Sequence, residues 1–138
     1  MSQARRLLGV VMDPIDTIKP KKDSTLAMML AAQRHGWDLV YLRQQDLEVR
    51  GGAPHGNGHK VTVADDPYRW FELGASWSGP LEGLDALLMR KDPPFDMEYI
   101  YTTYILELAE QRGLLVVNKP QSLRDINEKA YKIGRAHV

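Results

Sequence analysis

Short, mostly apolar runs recur along the chain, each bounded by charged or turn-forming residues, at positions 7–12, 37–42, 85–89 and 114–118. Runs of this length are typical of strands that are buried on both faces of a sheet. Helical patterns over residues 24–36 and 97–112 connect the first strand to the second and the third to the fourth. The alternation predicts an open, mostly parallel, Rossmann-like α/β sheet.

Residues 47–64 break this alternation with two short strand patterns around a glycine-rich stretch, which predicts a hairpin excursion from the sheet. His55 and His59 then fall in a solvated hairpin turn, because so many glycines exclude the helix on which their spacing would suit a metal. Residues 66–83 have no clear period. Their aromatic side chains are interpreted as core or lid packing: Trp70, Phe71 and Trp77.

Both helical patterns carry start and stop signals. Asp23 or Ser24 can cap the first helix, whose apolar face holds Leu26, Met29 and Leu30, and Gly36 supplies its stop. Asp96 can cap the second helix, which Gly113 ends. Side chains at helical spacing predict its buried stripe: Met97, Ile100, Tyr101, Tyr104, Ile105 and Leu108.

Composition describes an ordinary globular protein of one domain. The chain has 138 residues, no cysteine, and 18 basic residues that balance 18 acidic ones. A neutral balance argues against a nucleic-acid surface, and the lack of cysteine excludes disulfides and thiolate metal sites. The first apolar run is too short for a membrane span. We therefore expect a soluble, cytoplasmic protein that binds neither nucleic acid nor membrane.

Polar side chains follow three of the predicted strands. In parallel sheets, ligands bind where strands reach their carboxyl ends, so these side chains are expected to line one rim. The candidate substrate-binding residues are Asp13, Arg90, Lys91, Asp92, Asn118 and Lys119.

The chemistry of this rim has two interpretations. Arg90 can offer a planar fork to a carboxylate and Asp92 can accept from an ammonium, with the following prolines holding both in place. Alternatively, the charges merely meet water at a strand end. Three lysines before the first helix also have two interpretations, as an anion site or as part of a solvated loop: Lys19, Lys21 and Lys22. No catalytic triad can be assembled.

Four segments carry a family resemblance: "GVVMDPI", "KKDS", "LMRKDPPFDMEYIYTTYILELAE" and "VVNKPQSLRDINEK". Together, from about residue 8 to 129, they resemble the amino-terminal part of bacterial glutathione synthetases, which are ATP-grasp ligases. The resemblance implies a pre-ATP-grasp domain. It also implies a reaction that joins γ-glutamylcysteine to glycine through an acyl phosphate, with ATP and Mg²⁺. Members of the family commonly form homo-oligomers.

The resemblance also assigns roles to residues. It places Arg90, Lys91 and Asp92 facing the substrate cleft, puts Asn118 and Lys119 near it, and matches Lys129 to a lysine that contacts nucleotide phosphates. The magnesium carboxylates and the glycine-rich phosphate lid lie in a later part of the family pattern. No catalytic residue or metal ligand is therefore assigned here, and this chain alone is expected to be inactive.

The resemblance divides the chain into a pre-ATP-grasp domain over residues 1–125 and the start of the ATP-grasp region over 126–132. Residues 133–138, "IGRAHV", resemble translated adapter sequence and are predicted to be a non-native read-through tail. Two alternative functions stay open. One is a stand-alone α/β small-molecule binding module, and the other is an ATP-grasp ligase for another carboxylate and amine.

Overall fold

The computed structural model describes residues 5–119, in which one sheet carries a helix on each face. The elements in chain order are β1 (Leu7–Val11), α1 (Ser24–Arg34), β2 (Asp38–Leu42), β3 (Leu47–Arg50), β4 (Ala53–Val63), β5 (Phe71–Pro80), β6 (Ala86–Met89), α2 (Met97–Gln111) and β7 (Leu115–Val117). Predictions for Lys129 and for residues 133–138 lie outside this range.

The sheet has a parallel half and an antiparallel half. Strands β2, β1, β6 and β7 are parallel neighbours in that order, and β4 continues the sheet antiparallel to β2. β3 and β5 pair antiparallel to β4. Connections between parallel strands are right-handed, and β2 and β7 lie on opposite sides of the β1–β6 pair, so α1 and α2 cover opposite faces. The predicted α/β class is confirmed.

Side chains alternate across β1, so each face of the sheet has its own apolar core. On the α1 face, Leu8 and Val10 pack with buried side chains from both the helix and the sheet, among them Leu26, Met29, Leu39, Val61 and Val63. On the α2 face, Val11 packs with Leu42, Leu87, Tyr99, Leu106 and Ala109. The two cores immobilise the strand ends from which the polar rim projects.

The predicted helix boundaries are confirmed. The Asp23 carboxylate accepts from the Leu26 amide at 2.8 Å, and the Asp96 carboxylate accepts from the Tyr99 amide at 2.9 Å. Each cap satisfies an amide that has no partner within its helix. Past the two C-termini, Gly36 and Gly113 adopt positive φ angles of 87° and 104°.

The predicted buried stripe of α2 is confirmed for Ile105, which is buried, and is wrong for three of its six members. Met97, Tyr101 and Tyr104 are 77%, 56% and 52% exposed, whereas the face toward the sheet is built from Tyr99, Thr102, Thr103, Ile105, Leu106 and Ala109. The apolar pattern does not identify two buried threonines, Thr102 and Thr103. Both can be buried because their hydroxyls donate to carbonyls within the helix, at Glu98 and Ile100. The helix is therefore apolar on both faces.

The predicted hairpin exists, but its turn lies elsewhere. Gly51 and Gly52 link β3 to β4 with φ angles of 57° and 78°, the left-handed pair that a two-residue hairpin favours. His55 and His59 lie within β4 and not in the turn. The glycines between them serve close packing: a Cβ at Gly58 would overlap the Tyr41 carbonyl oxygen.

The segment without a clear period, residues 66–83, contains strand β5, which pairs with β4 over most of its length. Trp70 and Trp77 are half-buried and pack against the α1-face and α2-face cores respectively. The Trp70 indole also donates to the Ile15 carbonyl at 3.0 Å, which ties the loop after β1 to the segment between β4 and β5. Core packing is thus confirmed for these aromatic residues.

Candidate functional site

The rim begins where β1 and β6 end together. The strands are parallel neighbours with Val11 opposite Met89, so the residues that follow them emerge at the same edge of the sheet. The Asp92 amide donates to the Asp13 carboxylate at 3.0 Å. The structure therefore brings together two parts of the predicted site that are 79 residues apart in sequence.

Lys91 completes this contact. Its Nζ lies 2.8 Å from the second carboxylate oxygen of Asp13 and donates to the Asp92 carbonyl, also at 2.8 Å. The side chains of Lys91 and Asp13 are only 17% and 27% exposed. Limited exposure strengthens the ion pair and fixes both groups, whereas a fully solvated pair would be weak and mobile.

The Asp92 carboxyl is held in an unfavourable environment for its charge. Desolvation first, then the Asp13 carboxylate and the hydrogen bond between the two side chains, raise the pKa of Asp92 above its ordinary 3.8. Asp23 acts in the same direction, and Lys91 opposes them. Adjacent carboxyls that repel each other are characteristic of sites that receive a cation or a proton.

This geometry predicts that Asp92→Asn stabilises the protein at neutral pH, by at most about 1 kcal/mol because the residue is exposed. A carboxyl with a raised folded-state pKa binds its proton more tightly when folded, so its stabilising contribution exists below pH 3.8 and is lost as pH rises through the folded-state pKa. An asparagine amide can keep the hydrogen bond to Asp13 without the charge. Urea unfolding of both proteins at pH 7 and pH 3.5 measures the difference.

The gain should shrink at pH 3.5, where the parent carboxyl is itself largely protonated. Asp65→Asn, at an exposed position between β4 and β5, provides the matched control and should change stability little at either pH. Destabilisation of Asp92→Asn at pH 7 would contradict the arrangement of charges described for this rim.

Arg90 faces a different direction from its neighbours. Its guanidinium donates to the Ser24 hydroxyl at 2.7 Å and to the Thr25 hydroxyl at 3.2 Å, at the first turn of α1. These bonds join the end of β6 to α1 and use two of the five guanidinium donors. The contact of Arg90 with a substrate carboxylate stays a prediction, and its observed partners are within the protein.

Asn118 and Lys119 follow β7, which pairs in parallel with β6 so that Val117 lies opposite Leu88. Both residues are exposed at the same edge of the sheet as Arg90. Their predicted proximity to the rim therefore agrees with the strand order, and their contact with a ligand stays a prediction.

A cavity of about 340 Å³ adjoins the carboxyl pair and adds residues to the site. Its lining combines Asp13 and Asp92 with Thr17, Ile18, Lys19, Lys22 and Asp23. The sequence does not decide whether these lysines form an anion site or belong to a solvated loop. The structure places Lys19 and Lys22 beside the rim, and the available signal was their position just before the cap of α1.

Within residues 5–119, no cluster of three or more histidine, aspartate or glutamate side chains could hold a metal ion. The two rim carboxyls do not fit magnesium, because the Lys91 ammonium already occupies Asp13. Across the same part of the chain, no helix has the length and apolar character needed to cross a membrane.

Sheet order, helices on opposite faces of the sheet and a charged rim at its carboxyl edge define an α/β domain whose polar side chains gather at the ends of parallel strands, where ligands of such sheets bind. The sequence model of prokaryotic glutathione synthetase, N-terminal domain, matches residues 7–124. The chain belongs to this family.

Relatives agree with this assignment. The glutathione synthetases of Pseudomonas putida, Pseudomonas aeruginosa and Yersinia pestis are 59%, 58% and 56% identical to the chain over 124 residues. Each match covers 90% of this chain and 39% of the relative. The chain therefore spans about two fifths of the length of these relatives.

Proposed function

We propose that the rim around Asp13, Lys91 and Asp92 forms one wall of the substrate cleft of a glutathione synthetase. The enzyme would join γ-glutamylcysteine to glycine in the cytoplasm at the expense of ATP. The observation that carries the proposal is the convergence of these three residues at the carboxyl edge, in a chain that matches the family over residues 7–124.

The charges of the rim suit a dipeptide. With Lys91 paired to Asp13, the two carboxyls of Asp13 and Asp92 retain one negative charge, which a single ammonium group would neutralise, and the α-amino group of γ-glutamylcysteine supplies such a cation. Lys19 and Lys22, which line the same cavity, present positive charge to a carboxylate. Opposite charges in the lining of one small cavity would orient the peptide, which is the main contribution that positioning makes to ligation.

ATP is the second substrate in this proposal and would activate the cysteinyl carboxylate as an acyl phosphate, with magnesium as its counter-ion. No cluster of magnesium ligands occurs among the described residues, so we assign the metal to the longer part of the relatives that this chain does not match. The role assigned here is to bind and orient the peptide. Lys129, outside the described residues, is proposed to contact the nucleotide phosphates.

A chimera tests the proposal directly. Residues 7–124 of this chain would replace the matching segment of the Pseudomonas putida relative, to which the chain is 59% identical. We expect the purified chimera to form glutathione from γ-glutamylcysteine, glycine and Mg-ATP, and the 138-residue chain alone to form none. A folded chimera that retains nucleotide binding but forms no product would contradict the proposed role of this domain.

A stand-alone binding module is the second candidate, and the cavity beside Asp13 favours it because residues of this chain line that cavity. Calorimetric titration of γ-glutamylcysteine into the 138-residue chain separates the two functions. Tight binding would favour the module, whereas one wall of a cleft should bind weakly, because few groups surround the ligand.

A further inference from the structure

A second cavity, of about 380 Å³, is lined by the loop after β1, the end of β2 and strands β4 and β5, and it shares no lining residue with the cavity beside Asp13. Its apolar wall includes Ile15, Phe71 and Leu73. Its polar lining consists of Asp16, Tyr41, Arg43, Asp46, Asn57 and His59. Apolar walls combined with a few convergent polar groups are the usual composition of a small-molecule site.

The Tyr41 hydroxyl carries a proton that no protein group accepts. Tyr41 is 7% exposed, and its hydroxyl accepts a hydrogen bond from the Ile15 amide at 3.1 Å. Within residues 5–119, the hydroxyl has no acceptor for its own proton. A buried donor without an acceptor costs free energy, so a ligand that brings an acceptor to this hydroxyl is favoured.

Arg43 presents further donors in a fixed orientation. Its Nε and Nη2 atoms donate to the Asp46 carboxylate at 3.4 and 3.2 Å, and its backbone amide donates to the same carboxylate at 2.8 Å. The Asp46 side chain is only 16% exposed. The pair uses two of the five guanidinium donors and leaves three for a ligand. Together with Tyr41, these donors favour a carboxylate.

The Asp16 carboxylate supplies the opposite charge. In the part of the chain that the structure describes, it forms no hydrogen bond or ion pair. Burial is the largest cause that raises the pKa of the Tyr41 hydroxyl above its ordinary 10.0. The hydrogen bond from Ile15 and the charge of Arg43 oppose this rise, and Asp16 and Asp46 add to it. All three charged side chains therefore lie near one hydroxyl. Because Arg43 and Asp46 pair with each other, Asp16 is left to receive an ammonium group.

We propose that this cavity binds a free α-amino acid with an apolar side chain. The carboxylate of the ligand accepts from Tyr41 and Arg43, and its ammonium group pairs with Asp16. Its side chain packs against Phe71 and Leu73. An amine or a carboxylate alone satisfies only one half of the polar lining, whereas an amino acid satisfies both. The proposal does not depend on the proposed enzymatic function, because this cavity is separate from the cavity at the rim.

Titration of leucine into the isotope-labelled 138-residue chain, followed by amide chemical shifts, tests the site. We expect a dissociation constant on the order of 0.1–1 mM, ordinary for so small a ligand, with shift changes concentrated at Ile15, Tyr41 and Arg43. Isoamylamine lacks the carboxylate of leucine and isocaproate lacks its ammonium group, so each should bind at least about tenfold more weakly. Absence of leucine binding up to about 10 mM, equal binding of either analogue, or shift changes centred on Asp13 would overturn the proposal.

Two variants separate the charged contacts. Asp16→Asn, at an exposed position, should weaken leucine binding at least about tenfold without weakening the binding of isocaproate, which has no ammonium group. Tyr41→Phe should weaken leucine and isocaproate but not isoamylamine, which has no carboxylate. Asp65→Asn removes an exposed aspartate that does not line the cavity, so this matched control should bind leucine like the parent. Equal leucine affinities for Asp16→Asn and the parent would also contradict the proposed site.

Discussion

Gly58→Ala is expected to destabilise the domain by about 2–4 kcal/mol and to lower its unfolding midpoint by roughly 10 °C. A Cβ at this position would overlap the Tyr41 carbonyl oxygen and lie 2.8 Å from a methyl group of Leu42. The first atom belongs to the backbone of β2, so relief requires separation of β2 from β4. Thermal unfolding followed by circular dichroism measures the effect.

Gly74→Ala in the adjacent strand β5 is the matched control. There a new Cβ would lie 3.5 Å from the Lys60 carbonyl oxygen, an ordinary contact. We expect this variant to unfold within a few degrees of the parent, because replacing an unstrained glycine also reduces the freedom of the unfolded chain. Equal unfolding midpoints for Gly58→Ala and Gly74→Ala would show that the close approach of β2 and β4 is not what position 58 protects.

Asp13→Asn in the active chimera is expected to lower kcat/KM for γ-glutamylcysteine by about 100-fold. The substitution removes the charge that binds Lys91 and that is proposed to receive the peptide ammonium. Because binding is the proposed role, most of the loss should be a higher KM for the dipeptide, with the KM for ATP nearly unchanged. Steady-state kinetics with each substrate varied in turn provide the measurement.

Asp65→Asn is the control for loss of an aspartate elsewhere on the surface, and it should leave all three KM values unchanged. A structural effect of Asp13→Asn would lower the fraction of folded enzyme and therefore kcat without selectivity among substrates. Unchanged kinetics for a folded Asp13→Asn enzyme would remove Asp13 from the proposed binding site.

The failures of sequence-based prediction in this protein have specific physical causes. Periodicity finds α2 but assigns three exposed side chains to its buried face, because buried Thr102 and Thr103 satisfy their hydroxyls inside the helix and can replace apolar residues in the core. The glycines around His55 suggest a turn, since a sequence does not distinguish glycine needed for positive φ from glycine needed for close packing. Both ambiguities are resolved only by the neighbouring strand or sheet.

The rim also has one property that the sequence predicts and one that it does not. Its location could be predicted, because parallel strands that end in charged residues must present them at one edge. The pairing of groups at the rim could not be predicted, because the end of a strand in the sequence does not define the direction of the side chains that follow it. Arg90 turns toward α1, whereas Lys91, the next residue, turns toward Asp13.

Sequence alone determined the α/β class, the ends of both helices and the family, because these depend on local periodicity, on hydrogen bonds within a few residues and on motifs that are continuous in the chain. Tertiary structure decided which face of α2 is buried, where the hairpin turns, and how Asp13, Lys91 and Asp92 pair. Those features depend on contacts between segments distant in sequence, whose distances and directions are set only when both faces of the sheet are packed.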